Sequence, residues 1–258
     1  MRDILYVNLE PCCHRNKKTP PCTDIIVERG IKTVVYGMQD PNPAVSGKGI
    51  EHLNKKGVQV IGPVLEQECK RLNRGFVSLM TKKRPWITMK KAQRVDGRIA
   101  NDDGSFLKIT SPKQDAWSHE FLRAKHDAIL VGVGTIIADD PRLTVRFGEA
   151  KPPVWRIVLD ASLRIPLSSK VMCPGTIVVT VPSQDREKKD AIRRKGVRIV
   201  EIPFLLGAFD WQVLWKALMT PENDFYGISS ILVEGGQKTW DAFYSAEMVD
   251  EEVTLVGE

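Results

Sequence analysis

Short apolar runs alternate along this chain with longer mixed segments. Residues 4–9 are mostly apolar and end at a Glu-Pro step, which reads as a buried strand. Residues 23–29 follow two prolines and stop at Gly30, the boundary pattern of a helix, with Asp24 placed to suit its N-terminus. Residues 33–38 are β-branched and apolar, and the Asp40-Pro41-Asn42-Pro43 step after them is a turn signal. Residues 49–56 read as a helix ending at Gly57, residues 58–64 as a strand and residues 65–79 as a helix. This alternation predicts a three-layer α/β domain with largely parallel strands.

The basic stretch Thr81-Lys82-Lys83-Arg84-Pro85 marks a boundary, and a second pattern starts after it. Strands are expected at 86–92, 128–133, 155–160, 176–181, 198–202 and 228–233, and helices at 118–125, 186–195 and 211–218. The expected domains are therefore 1–80 and 85–258, both α/β. Residues 253–256 read as a strand that has just begun, which suggests a second domain shortened at its end. No internal repeat or low-complexity segment is visible.

The chain has 258 residues, a net charge of +6 and a pI near 9.0. Acidic residues are interspersed throughout and no block is purely Lys and Arg. The expectation is a mildly basic surface with pockets for phosphorylated small molecules, and no nucleic acid partner. No apolar run reaches membrane-spanning length and no leader pattern is seen, so a cytoplasmic protein without membrane contact is expected. Five unevenly placed cysteines argue against a disulfide framework, and three of them cluster at Cys12, Cys13 and Cys22.

That cluster has a chemistry of its own. Zinc prefers thiolate and imidazole ligands in a tetrahedron, and a thiol at a helix N-terminus is easier to ionise. Cys12 falls at a strand end and Cys22 at a helix start. By spacing alone they read as unrelated thiols, because ten positions separate them rather than the compact C-x-x-C. However, Leu9-Glu10-Pro11-Cys12 together with Thr19-Pro20-Pro21-Cys22 resembles the zinc-dependent deaminase domain of bifunctional riboflavin-biosynthesis enzymes. These deaminate a pyrimidine and then reduce its ribose. Asp40-Pro41-Asn42-Pro43 and Leu72-Asn73-Arg74-Gly75-Phe76 follow the same pattern, while the cysteine loop is one residue longer. The resemblance implies that residues 1–80 are the C-terminal part of a cytidine-deaminase-like domain, with Cys12 and Cys22 as metal ligands. A zinc deaminase also needs an upstream H-x-E motif, whose glutamate moves protons. Residues 1–8 hold neither His nor Glu. The zinc site is therefore expected to be incomplete, Cys13 and His14 to be loop residues, and the chain to be cut short at its N-terminus and unable to deaminate.

The second half resembles the reductase domain of the same family. The carriers are residues 89–100 (Met-Lys-Lys-Ala-Gln-Arg-Val-Asp-Gly-Arg-Ile-Ala), Ile109-Thr110-Ser111, Leu122-Arg123-Ala124-Lys125, residues 128–146, Val158-Leu159-Asp160 and Leu232-Val233-Glu234-Gly235-Gly236. No G-x-G-x-x-G occurs, and the resemblance implies a dihydrofolate-reductase-like α/β fold rather than a Rossmann fold. It also implies NADP(H) as cofactor and a phosphoribosylamino-pyrimidine as substrate, reduced to the ribityl compound. Hydride transfer needs positioning more than acid–base machinery, and a sugar phosphate calls for guanidinium forks.

By this resemblance Lys90, Arg123, Leu143 (through its backbone), Arg146 and Glu234 contact substrate. Ala92, Thr135, Asp139, Gly236, Gln237, Lys238, Thr239, Trp240, Asp241 and Ala242 line the cofactor. Gly235-Gly236 also lets backbone N–H groups approach a phosphate, and the helix after it adds its dipole. Phe106-Leu107-Lys108 stands where the family has Ser-x-Trp, and Ala161 stands for a serine. The helix before Arg123 carries an extra residue. A homodimer through the reductase domain is the implied assembly. A non-catalytic fragment that associates with intact copies is the rival reading.

Overall fold

The computed structural model describes residues 3–17, 19–99, 108–147, 154–182, 185–205 and 207–257. The chain separates into two compact units, Met1–Lys83 and Arg84–Glu258. No helix among the described residues is long and apolar enough to cross a membrane.

The first unit holds a parallel three-stranded sheet of β1 (Ile4–Leu9), β2 (Thr33–Met38) and β3 (Gln59–Ile61), in that order. Four helices accompany it: α1 (Cys22–Glu28), α2 (Lys48–Lys55), α3 (Glu66–Leu72) and α4 (Arg74–Lys82). Ile26, Val34, Leu53 and Val58 form its core. The strand expected at 58–64 is cut to three residues, because Pro63 has no N–H and Gly62 takes a φ of 150°. The helix expected at 65–79 breaks at Asn73, whose side chain donates back to the Cys69 carbonyl at 2.9 Å.

Glu10 is the organising residue of this unit. It is 2% exposed. One carboxylate oxygen accepts the amides of Asp40 (3.2 Å) and Gly47 (2.9 Å), and the other accepts those of Gly49 (2.9 Å) and Ile50 (3.2 Å). The carboxylate thereby closes the N-terminus of α2, which has no cap from its own neighbouring side chain, and ties it to the end of β1. The fit is close: a Cβ on Gly49 would lie 2.0 Å from the Pro11 carbonyl oxygen.

The second unit is built on a seven-stranded parallel sheet ordered β12-β4-β11-β5-β6-β7-β8. Its strands are β4 (Trp86–Arg94), β5 (Ala128–Gly132), β6 (Trp155–Leu159), β7 (Thr176–Thr180), β8 (Arg198–Glu201), β11 (Ser230–Val233) and β12 (Glu251–Gly257). A two-stranded hairpin, β9 (Phe204–Leu205) with β10 (Ala208–Phe209), precedes the return to the sheet. The helices are α5 (Pro112–Trp117), α6 (Val133–Asp139), α7 (Arg186–Arg194), α8 (Trp211–Met219) and α9 (Gln237–Ser245). The strand expected at 253–256 is longer, and pairs with β4 along its whole length.

Alternate residues of the central strands feed two cores, which is why these strands read as continuous apolar runs. Ile87, Leu130, Ile157 and Ile231 face Leu214 and Trp215 of α8 and Phe243 of α9. Ile129, Val131, Val158 and Val178 join Ile136 of α6 and Ile192 of α7. Residues 133–139, where no helix was expected, form a short helix that buries Val133 and Ile136.

The helix expected at 118–125 starts earlier, at Pro112. Ser111 caps it, with the Gln114 amide bonded to the Ser111 hydroxyl and the Gln114 side chain accepting from the Ser111 amide. Residues Ser118–Leu122 then open into a π-helical turn, and Arg123–Lys125 tighten into a 3₁₀ turn. A π turn absorbs one added residue without breaking the helix. This is where the resemblance implied one extra residue.

Replacing Glu10 by Ala leaves four buried amides without their acceptor. The expected loss is about 3 kcal/mol of local stability. Hydrogen exchange of residues 45–55 reads it, as a loss of protection of about two orders of magnitude; unchanged protection would show that the carboxylate is dispensable.

Candidate active site

In open parallel sheets, ligands sit beyond the carboxyl ends of the strands where the strand order reverses. Here that place is around β4, β11 and β5, because β11 returns to lie between two strands that precede it by about 100 residues or more in sequence. A cavity of about 1130 Å³ opens there. It exceeds the roughly 300–1,000 Å³ of a pocket for one drug-sized ligand.

The polar centre is a buried ion pair. Arg123 Nε and Nη2 donate to the two oxygens of Glu234 at 2.7 and 2.6 Å. Lys90 Nζ lies 3.9 Å from the same carboxylate. Burial pushes the Glu234 carboxyl up, but the charges of Lys90 and Arg123 and the guanidinium hydrogen bonds outweigh it and hold it at about 2. The third nitrogen, Arg123 Nη1, donates to the Thr144 carbonyl at 3.0 Å and faces His119 Nε2 at 3.2 Å. The Arg123 fork is therefore filled by Glu234 and does not lie open to a phosphate. Arg146 is exposed and keeps the more accessible guanidinium. Leu143 is buried at a φ of 49°, and Asp140 shortly before it has a φ of 39°. Left-handed backbone at non-glycine residues is a strained conformation that gathers at ligand clamps.

The opposite side of the cavity is a backbone cradle. Thr239 packs against two glycines: a Cβ on Gly132 would lie 2.6 Å from its Oγ1, and one on Gly235 would lie 2.8 Å from its Cβ. Gly134 and Gly236 have open space where a Cβ would go. Gly236 is the N-cap of α9, with no side-chain cap, so the helix terminus is turned to whatever the cavity holds. The Trp240 indole N–H is buried without a partner. These features fit a dinucleotide pyrophosphate.

The cavity is lined by Lys90, Ala92, Arg123, Thr135, Asp139, Leu143, Arg146 and Glu234. Gly236, Gln237, Lys238, Thr239, Trp240 and Ala242 line it as well. Asp241 does not; it is exposed on α9 and accepts from Gln237 Nε2 at 2.6 Å. Burial pushes the Asp139 carboxyl up. Ala161 lines the cavity, as does Lys108, which pairs with Asp115. Phe106 and Leu107 lie outside the described residues. His119, Ser118 and Asp115 also line the cavity, and none of them stood out in the sequence. The available signal was His119 four residues before Arg123.

The cysteine pair is a different matter. Cys12 Sγ and Cys22 Sγ lie 3.1 Å apart, and Lys17 Nζ donates to Cys12 Sγ at 2.6 Å. Two sulfurs on one tetrahedral zinc, each about 2.3 Å from it, stand about 3.8 Å apart. Among the described residues no group of three His, Cys, Asp or Glu side chains could hold a metal. An ammonium beside the pair is the wrong charge for a third ligand. The residues present do not fit zinc, and the expected metal role of Cys12 and Cys22 finds no support in this geometry.

Residues 85–257 match the family described as the RibD C-terminal domain. The riboflavin biosynthesis protein RibD of Aquifex aeolicus (strain VF5) is 41% identical over 255 residues, covering 98% of this chain and 68% of that protein. The protein of the same name from Actinobacillus pleuropneumoniae is 40% identical, covering 90% of this chain and 60% of its own length. The solved diaminohydroxyphosphoribosylaminopyrimidine deaminase/5-amino-6-(5-phosphoribosylamino)uracil reductase of Thermotoga maritima superposes with a TM-score of 0.79 at 35% identity. It covers 97% of this chain and 66% of that one. The chain thus spans about two thirds of the length of these relatives.

Glu234→Gln leaves the Arg123 guanidinium buried without its counter-charge, and an unfolding free energy lower by about 3–5 kcal/mol is expected at neutral pH. The native carboxyl titrates at about 2, below the roughly 4.3 of an unfolded glutamate. Its contribution is therefore complete above about pH 4.3 and fades as pH falls toward 2. Urea midpoints measured across that window should drop less in the variant than in the wild type; parallel curves count against a charged pair.

Proposed function

The chain belongs to the RibD family of riboflavin-biosynthesis proteins, and from that premise we propose that it carries out the reductase step. The reaction is the NADPH-dependent reduction of 5-amino-6-(5-phosphoribosylamino)uracil to its ribitylamino product. One observation carries the reading: a cation-rich pocket of Lys90, Arg123 and Arg146 around the Glu234 carboxylate opens directly onto the glycine cradle at the start of α9.

The cofactor, when bound, supplies the hydride. The work of the protein is binding and orientation. Gly236 and the first turn of α9 take the pyrophosphate, with Gln237, Lys238, Thr239, Trp240 and Ala242 along the helix and Ala92, Thr135 and Asp139 opposite. Arg146 takes the sugar phosphate with a charge-assisted fork. Arg123 acts mainly by fixing Glu234. Each Glu234 oxygen keeps a lone pair beyond its guanidinium bond, free to accept from a substrate hydroxyl or amine. Lys90 stands over the same carboxylate and adds positive charge where the anionic substrate enters. Leu143 offers backbone contacts.

The domain reading extends the proposal: residues 85–258 form the reductase, and residues 1–80 are the C-terminal part of a cytidine-deaminase-like domain. Because the residues around Cys12 and Cys22 do not fit zinc, no deamination step is derived from that part.

NADPH binding by calorimetry and NADPH oxidation at 340 nm with the phosphoribosylaminouracil test the reading. Binding in the micromolar range and turnover insensitive to EDTA are expected. A folded chain that binds no NADPH would leave the non-catalytic, associating reading in its place. Arg146→Ala should raise KM roughly 10- to 100-fold with kcat little changed, the mark of lost uniform binding.

A further inference from the structure

His119 is a buried side chain in the cavity to which none of the roles above is given. It is 3% exposed and its ring meets Phe147 edge-on, centroids 5.4 Å apart. The Arg146 backbone amide donates to its Nδ1 at 2.9 Å. A neutral imidazole carries one ring proton, and a nitrogen that accepts cannot hold it. The proton is therefore on Nε2. That nitrogen lies 3.2 Å from Arg123 Nη1 and 3.2 Å from Arg146 Nη2. N–H donors from three side chains thus converge, and the acceptor beside them, the Thr144 carbonyl, takes only one proton of Arg123 Nη1.

Such a cluster is unfavourable by itself and favourable around a tetrahedral oxyanion, whose oxygens accept from all three. Burial first, and then the charges of Arg123, Arg146 and Lys90 against that of Glu234, bring the ring down to about 4 and keep it neutral at pH 7. A neutral ring with a fixed tautomer donates without adding a third repelling charge. The π turn Ser118–Leu122 contains His119, and both His119 and Arg123, which follows that turn, line the cavity.

We propose that His119 is the third arm of the substrate phosphate site: Nε2–H donates to a phosphate oxygen beside Arg123 Nη1 and Arg146 Nη2, while Nδ1 anchors the Arg146 backbone. This rests on the reading that Arg146 takes the sugar phosphate; Arg123, whose Nε and Nη2 are held by Glu234, adds only the second proton of Nη1.

The test uses the full chain, with NADPH oxidation as the assay and inorganic phosphate as a competing probe. In His119→Asn the side-chain oxygen can replace Nδ1 as the amide acceptor, but nothing reaches the Nε2 position. In His119→Gln an amide N–H reaches that position. His119→Asn should raise both KM and the phosphate inhibition constant about 10-fold, with kcat within about twofold, and His119→Gln should recover most of both. If Arg146→Ala weakens phosphate but His119→Asn does not, His119 is no phosphate ligand while the arginine reading stands. If neither variant affects phosphate, the phosphate reading fails and takes His119 with it. Should the Asn variant not fold, nitrogen NMR of the wild type with NADP bound decides: phosphate must shift the His119 Nε2 resonance, and an unmoved signal overturns the proposal.

Discussion

The buried pair between Arg123 and Glu234 is the contact on which both fold and site depend. Its partners are 111 positions apart in sequence. They meet only because β11 inserts between β4 and β5, which places Glu234 at the carboxyl end of the central strand, hydrogen-bonded through its own amide to Leu130. Two charges out of water repay their desolvation only with good geometry and with other hydrogen bonds around them. Both conditions hold: the guanidinium bonds are bidentate, and Arg123 Nη1 finds the Thr144 carbonyl. The carboxylate neutralises one of three nearby cations. What remains is an excess of positive charge suited to an anionic sugar phosphate, without a concentration of charge that would unfold the pocket.

The dinucleotide side follows from shape rather than charge. Four glycines, Gly132, Gly134, Gly235 and Gly236, border it, and they divide into two kinds. Gly132 and Gly235 are filled from behind by Thr239, so any side chain there would push α9 away from β5. Gly134 and Gly236 are open, so a side chain there would occupy ligand space. Thr239 thus sets the distance between helix and sheet, and the two open glycines use it.

The strands were legible because their apolar runs have no other place to go than the centre of a parallel sheet. The run at 128–133 is buried on both faces, with Leu130 on one core and Val131 on the other. Less visible were elements whose cause lies elsewhere in the chain. Val133–Asp139 carried no helix signal in the sequence, yet it is held helical by burial of Val133 and Ile136. The residues gathered at the cavity were named through family resemblance rather than through spacing. Even so, no motif could say that Arg123 Nε and Nη2 would be taken up by Glu234. His119 was not legible because its place in the cavity depends on the Ser118–Leu122 π turn, which no sequence pattern signals.

The first unit shows how one motif string can carry two jobs. Leu9-Glu10-Pro11-Cys12 drew notice for its cysteine, a metal ligand by resemblance. In this chain the residue with the demonstrable physical task is Glu10. Its four amide partners come from the turn after β2 and the start of α2, so it fixes the loop from which Cys12 projects. A carboxylate in that position holds the loop whether or not the thiols find a metal, because backbone N–H groups satisfy it completely. The hold of Glu10 on the loop is made by backbone amides alone. That explains how two sulfurs without further ligands still stand side by side at the start of α1, with Lys17 supplying the nearest positive charge.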